Sequence, residues 1–307
     1  MRISAEGKIN EKVMVLGHPI YPGYIVKGSN RTMMVEAGMN ILGPLYLKQL
    51  RELADTGALS RLDSLIVTHG HYDHIGALPF LKRNIPPLEV RAPEAAISVM
   101  GSEKAVRTMN FLSRETSKYF EGMGIKIDDW DEIAIGPVEF AEPLRDGDVI
   151  DLGGWTCEVI STPGHTRDHV SFFLREPGIL FPGEALGNPI MEREDLNKVE
   201  FLTSFRDYVD SIEKLLRLKP LVKVIAMSHL YCYTGEDVPR FMDMALRDAN
   251  EYRSLIDSYL DRENGEVEKA TATMVRVEYD EKKSVYQERN AYVANLTAQV
   301  KAVAALR

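Results

Sequence analysis

His69-Gly70-His71-Tyr72-Asp73-His74 is the stretch that decides how this 307-residue chain is read. Three imidazoles and a carboxylate fall within six residues, and a buried set of that kind is hard to satisfy by packing alone. Neutral imidazole and carboxylate are, by contrast, good ligands for divalent ions. The side chains of His69 and His71 can converge on one ion, while Asp73 and His74 can turn towards a second. The apolar run Leu65-Ile66-Val67 reads as a short buried strand that ends just before the cluster. The cluster therefore sits in a loop at a strand's C-terminal end, where α/β architectures commonly place their chemistry.

Working outward, the same arrangement recurs. Ser161-Thr162-Pro163-Gly164-His165-Thr166 follows the strand expected at Trp155 to Ile160, Phe181-Pro182-Gly183-Glu184 presents a carboxylate after the strand at Ile179 to Phe181, and Ser228-His229 follows the one at Val222 to Ala226. Val13 to Leu16, Ile25-Val26 and Thr32 to Val35 read as an opening β-meander, and Val170 to Leu174 as a further strand. Helical spacing marks Pro44 to about Asp55, Ser102 to about Phe120, and Thr203 to Leu218. After about Gly235 the pattern turns helical, at Val238 to Leu260 and again at Asn290 to Leu306, with turn-prone Asp261 to Gly265 between. These patterns predict a domain over 1–235 with a helical insertion at about 102–120, and a helical C-terminal cap over 236–307. An oligomer interface would give the last segment the same composition.

The order H-x-H-x-D-H, then Thr162-Pro163-Gly164-His165, then an acid after a strand, then a final His resembles the metallo-β-lactamase superfamily in its glyoxalase II-like hydrolase branch, over roughly residues 12–235. The resemblance implies an α/β fold, the αββα sandwich, here with a C-terminal helical extension. It also implies a dinuclear centre in which His69, His71 and His165 hold the first ion and Asp73, His74 and His229 the second. Glu184 would bridge the two, and Asp73 would orient an attacking hydroxide. Zinc stands first among the implied ions, with iron or manganese as alternatives, because such donor sets suit all three. Two positions depart from the usual pattern: the bridging acid is usually Asp, one methylene shorter than Glu184, and Gly usually precedes the last His where this chain has Ser228. His169 reads as a neighbour of the ligands or a core residue, and Tyr72 as a ring packed beside the site or a donor to an oxyanion. His18 stands alone. Cys232 and Tyr233 either line the pocket or pack in the core.

The implied reaction is hydrolysis of a small molecule, with an acyl thioester of the acyl-CoA kind as the leading expectation, since a thiolate leaves without help from an acid. His71 to Leu81, Ser102 to Arg107 and Asp168-His169-Val170 extend the resemblance to alkylquinolone-signal-pathway thioesterases. A lactonase or phosphodiesterase is the enzymatic alternative, and a ligand-binding or regulatory protein with a weakened metal site is the non-enzymatic one. Flavodiiron oxidoreductases carry Glu where this chain has His71. A formal charge of −9 and a pI near 5.4 argue against nucleic acid as a partner. No run of about 18 apolar residues suggests a membrane span, and the N-terminal residues lack an apolar secretory core, so the expected location is the cytoplasm. Cys157 and Cys232 are too few for a disulfide framework. A homodimer is the default assembly.

Overall fold

The structure, a computed structural model, describes residues 2–5, 7–191 and 193–307. The chain opens with β1 (Arg2–Ser4), β2 (Gly7–Asn10), β3 (Val13–His18), β4 (Tyr21–Lys27) and β5 (Thr32–Val35), then α1 (Gly43–Asp55). β6 (Ser64–Ile66), α2 (Tyr72–Ile75), α3 (Leu78–Asn84), β7 (Glu89–Arg91), α4 (Glu94–Met100), α5 (Glu103–Glu121) and α6 (Trp130–Ile133) follow. The second half runs β8 (Val149–Asp151), β9 (Thr156–Ser161), β10 (Val170–Leu174), β11 (Ile179–Phe181), β12 (Asn188–Ile190), β13 (Arg193–Lys198), α7 (Phe205–Leu216), β14 (Val224–Ala226) and β15 (Tyr231–Thr234). α8 (Asp237–Arg262), α9 (Val267–Met274), a π-helical stretch (Val275–Glu281) and α10 (Arg289–Ala304) close the chain.

Two sheets result, ordered β2-β3-β4-β5-β6-β7 and β1-β15-β14-β11-β10-β9-β8, with β12-β13 as a separate hairpin. Their layering follows from strand periodicity, because alternate side chains leave opposite faces of a sheet. In β3, Val13 and Val15 point into a core shared with Val159, Phe172 and Phe181 of the second sheet, whereas Met14 and Leu16 point the other way, onto a core with α1 and α3. In β10, Phe172 joins the inter-sheet core while Phe173 faces α7 and α8. Strands buried on both faces read as continuous apolar runs, which is how Thr32–Val35 and Val170–Leu174 appear. The architecture is thus helices, sheet, sheet, helices: the αββα sandwich.

The helix boundaries have local causes. Ser102 and Ser204 cap α5 and α7 by accepting from the amides of Ala105 at 3.4 Å and Asp207 at 3.2 Å. α7 buries Phe205, Tyr208, Ile212 and Leu215, an i, i+3, i+7 face, against the second sheet and the C-terminal helices. Short elements such as α3, β7, α4 and β15 are not expected from the sequence, and three further features differ from it. β1 pairs antiparallel with β15 at the far end of the chain. The hairpin β12-β13 lies between Glu184 and α7. Residues 267–281 are helical where the sequence pattern predicts no helix; Thr271, Thr273, Val275 and Val277 lower intrinsic propensity there, and burial of Ala270, Met274 and Val275 overrides it.

Candidate metal centre

Every residue of the candidate set is delivered by the C-terminal end of a strand. His69 and His71 lie in the loop after β6, and α2 starts at Tyr72, so Asp73 and His74 ride on a single helical turn that separates their directions from His71. His165 follows β9, Glu184 follows β11 and His229 follows β14. Two glycines make these loops possible. Gly164 has φ +126, and a Cβ there would lie 2.4 Å from the Tyr208 backbone, so α7 packs directly on the loop that carries His165. Gly183 has φ +57, and a Cβ would meet His169 Nε2 at 2.4 Å. His169 Nε2 instead accepts from the Glu184 amide at 3.1 Å.

The seven residues assemble into two groups, His69, His71, His165 and Glu184 in one and Asp73, His74 and His229 in the other, each with ligand atoms within 4.8 Å of one another. Glu184 reaches both. Its Oε2 is 2.6 Å from His165 Nε2, and its Oε1 is 2.9 Å from His229 Nε2 and 3.7 Å from His74 Nε2. His71 Nδ1 lies 3.0 Å from His165 Nε2. His169 belongs to neither group: its Nδ1 is 2.9 Å from Thr162 Oγ1, which in turn lies 2.8 Å from Ser171 Oγ, and it serves to pin the Glu184 loop.

The hydrogen bonds fix which nitrogens face inward. His165 Nδ1 is committed to the Glu200 carbonyl at 2.5 Å, His229 Nδ1 to the Ile20 carbonyl at 2.9 Å, and His69 Nδ1 to Thr68 Oγ1 at 2.9 Å. A neutral imidazole that donates from Nδ1 presents a lone pair at Nε2. In their neutral form, the form that binds an ion, His165 and His229 therefore aim lone pairs at the Glu184 carboxylate, acceptor against acceptor. The Nε2 atoms of His69 and His74 are buried with no hydrogen-bond partner at all. Opposed acceptors and orphaned buried nitrogens are costly unless a cation lies between them, and this donor set fits divalent ions.

Electrostatics follow from the same crowding. Burial, reinforced by neighbouring imidazoles, drives His69 and His169 well below the ordinary histidine range, and burial brings His71 to about 4. Burial also opposes charge on His74 and His165, but Glu36 and Asp73 overrule it at the first and Glu184 at the second, so both are raised. Burial alone would raise Glu184; His165 outweighs it and holds the carboxylate well below its usual range.

One residue that sequence reasoning missed organises half the centre. Glu36, buried at the end of β5 with φ +68, accepts from Thr68 Oγ1 at 2.6 Å and Ser228 Oγ at 3.3 Å, and lies 3.4 Å from His74 Nδ1. A carboxylate behind an imidazole fixes the ring's orientation and increases its basicity as a ligand. The available signal was an acid closing the apolar run Thr32–Val35. Ser228, the departure from Gly, belongs to this network. Asn188 and Glu200 were missed as well: Asn188 Nδ2 bonds Glu184 Oε1 at 2.7 Å and Glu200 Oε1 at 3.3 Å.

Tyr72 does not reach into the centre. Its hydroxyl meets Thr116 Oγ1 of α5 at 3.1 Å, and its ring lines a cavity of about 460 Å³ together with Gly70, His71, Ala96 and Met109. Asp168 orients that wall, accepting from the Ala96 amide at 2.9 Å. His18 stands apart, edge-on to Phe120. Cys232 is a core residue 3.6 Å from the Tyr24 hydroxyl, and Cys157 is buried.

The sequence pattern of the metallo-beta-lactamase superfamily matches residues 22–229. Acyl-coenzyme A thioesterase MBLAC2 of Gallus gallus is 28% identical over 223 residues, 71% of this chain and 75% of that protein. Hydroxyacylglutathione hydrolase GloC of Haemophilus influenzae is 27% identical over 177 residues, 57% of this chain and 73% of that one. Among solved structures, a metallo-beta-lactamase family protein from Thermus thermophilus superposes with a TM-score of 0.63 at 19% identity, covering 95% of this chain and 93% of the other.

Proposed function

The chain belongs to the metallo-β-lactamase superfamily, and on that premise we propose that it is a hydrolase with two divalent ions that cleaves an acyl thioester of the acyl-CoA kind. The observation that carries this reading is the Glu184 carboxylate, whose two oxygens face histidines of both groups. The one-methylene lengthening relative to Asp leaves that reach intact. His69, His71 and His165 would hold one ion, Asp73, His74 and His229 the other, with zinc as the first choice and iron or manganese as alternatives. When bound, such a pair supplies polarisation of the scissile carbonyl and a hydroxide nucleophile near neutral pH.

The protein's own groups do the rest. Asp73, more exposed than His74 beside it, would both hold an ion and orient the hydroxide that such a pair supplies. The Tyr72 hydroxyl pairs with Thr116, away from the two ligand groups. The cavity beside His71 carries an apolar wall of Ala95, Ala96, Val99, Met109 and Leu112 against which an acyl substrate can pack. An unperturbed thiol has a pKa of about 8.5 and departs as thiolate, so the site needs no acid aimed at the leaving group. The names of two relatives, a thioesterase and a hydroxyacylglutathione hydrolase, support the thioester class. Among the described residues no helix is long and apolar enough to cross a membrane. The buried free thiols suit a reducing, cytoplasmic setting.

The test is release of free thiol from a panel of acyl-CoA and acyl-glutathione thioesters by protein reconstituted with zinc, iron or manganese. Turnover that needs the metal and approaches two ions per chain is expected. Turnover of lactones or phosphodiesters but not thioesters would move the assignment to those substrates, and failure to retain ions would point to a binding protein.

A further inference from the structure

A thioester has to reach the ligand groups from their open side. His69, His74, His165 and Glu184 are buried, whereas His71, Asp73 and His229 keep part of their surface exposed. The ring of Tyr21 stands edge-on to His229 at 5.1 Å. His71 instead lines the cavity of about 460 Å³ between the ligand loop and α4 and α5, a volume within the roughly 300–1,000 Å³ typical of small-molecule sites. A second cavity, about 320 Å³, lies between β13 and the C-terminal helices beside Glu200, but no ligand residue lines it.

His71 uses its two nitrogens differently from the other ligands. His69, His165 and His229 turn Nδ1 outward onto a hydroxyl or a carbonyl, and His74 turns it to Glu36. His71 turns Nδ1 inward, 3.0 Å from His165 Nε2, which leaves its own Nε2 on the far edge of the ring. A neutral imidazole that offers a lone pair at Nδ1 carries its proton on Nε2. Ligating histidines nearly always spend that second N–H on an acceptor, yet no described residue supplies one to His71. The donor is free for an acceptor on whatever occupies the cavity.

The mouth of the cavity carries charge. Lys104 of α5 lines it, and Arg167 stands exposed between Thr166 and Asp168, which both line it. Neither cation has an ion-pair partner among the described residues, although the chain has a net charge of −9 and nearby Arg107 and Lys118 are paired with Glu103 and Glu115. Asp168 is engaged elsewhere, accepting from the Ala96 amide and from Thr166 Oγ1. The rest of the wall is mainly apolar, with Ala96, Val99, Met109 and Leu112. A plain hydrocarbon acyl chain would use that wall but neither the N–H nor the cations. The arm of coenzyme A uses all three, since it carries branched hydrocarbon, amide carbonyls and, farther from the sulfur, phosphates.

Resting on the thioesterase reading, we propose that this cavity seats the thiol-bearing arm of the substrate, an amide carbonyl of the arm accepting from His71 Nε2 and its phosphates meeting Lys104 and Arg167. The acyl group then lies outside the cavity. The arm also secures the tautomer in which His71 offers Nδ1 to an ion.

The test compares acetyl-CoA with the acetyl thioester of N-acetylcysteamine, which keeps an amide and lacks phosphate, on zinc-loaded full-length protein. Lys104→Glu with Arg167→Glu alters only exposed side chains. The ratio of kcat/KM for the coenzyme A ester to that for the truncated ester is expected to fall about tenfold or more, through KM, as charge-assisted contacts are lost. In wild type, added salt should raise KM for the coenzyme A ester alone. A second readout needs no turnover: calorimetric binding of desulfo-coenzyme A, which has no thiol to ligate an ion, should weaken by a similar factor in the double variant and vanish in Ala105→Trp, which fills the cavity from α5. An unchanged ratio, or desulfo-coenzyme A binding that the double variant leaves intact, overturns the placement of the arm while the hydrolase reading stands. No turnover of either ester overturns the thioesterase reading; binding weakened by the variant would then establish the site on a protein of another activity, and no binding would remove both.

Discussion

The two ligand groups are held in place by different means. In the first, His165 is oriented by a backbone carbonyl, that of Glu200, and His69 by the hydroxyl of its own neighbour Thr68. In the second, His229 also leans on a carbonyl, but His74 depends on the side chain of Glu36, which is shared with Thr68 and Ser228 and has its other oxygen buried without a partner. A carbonyl cannot be changed by substitution and moves only if the fold moves. A shared carboxylate can be lost in one step, and three contacts go with it. Each group thus has one carbonyl-held histidine, but His74 meets Glu36 directly whereas His69 meets it only through Thr68, so the second group depends more on the side-chain network.

Removing the shared centre should produce the largest effect. His165→Ala deletes the imidazole between His71 and Glu184, and both ions and all hydrolysis above background are expected to be lost; elemental analysis after dialysis checks this, and two retained ions would break the picture of a joined centre. Glu36→Gln should separate the groups. Outer partners of this kind are worth about 10–100-fold in metal affinity, so the second ion is expected to weaken by that factor and the first by less, as read by titration with a graded series of chelators. Equal weakening would show that Thr68 transmits as much as His74 does. Ser228→Gly should act least. It removes one long hydrogen bond to Glu36, worth about 1 kcal/mol, so a roughly fivefold loss confined to the second ion is expected; an unchanged titration would show that Ser228 fills space and does not support the carboxylate.

Much of this organisation was legible locally. The ligand loops announced themselves because each follows an apolar strand and packs its donors within a few residues, as in His69 to His74. The strands of the meander, β10 and β11 were equally plain, being mostly apolar runs bounded by turns, and β9 showed the alternation of a half-buried strand. β1 was not, since Arg2-Ile3-Ser4 has little strand character and acquires it by pairing with Cys232 and its neighbours. Nor were α9 and the π-helical stretch, whose β-branched residues argue against a helix until a buried face overrules them.

Glu36 marks the boundary between the two kinds of information. The sequence by itself determined which donors are present and that they sit in strand-end loops, because that depends only on neighbours along the chain. Tertiary structure alone decided that Glu36 meets Ser228 across 192 positions and that His229 meets the Ile20 carbonyl across 209. It alone decided as well that Glu36 stands behind His74, and that the C-terminal helices enclose a cavity beside Glu200. Those relations are set by strand register and layer packing, which join residues whose separation along the chain carries no trace of their contact.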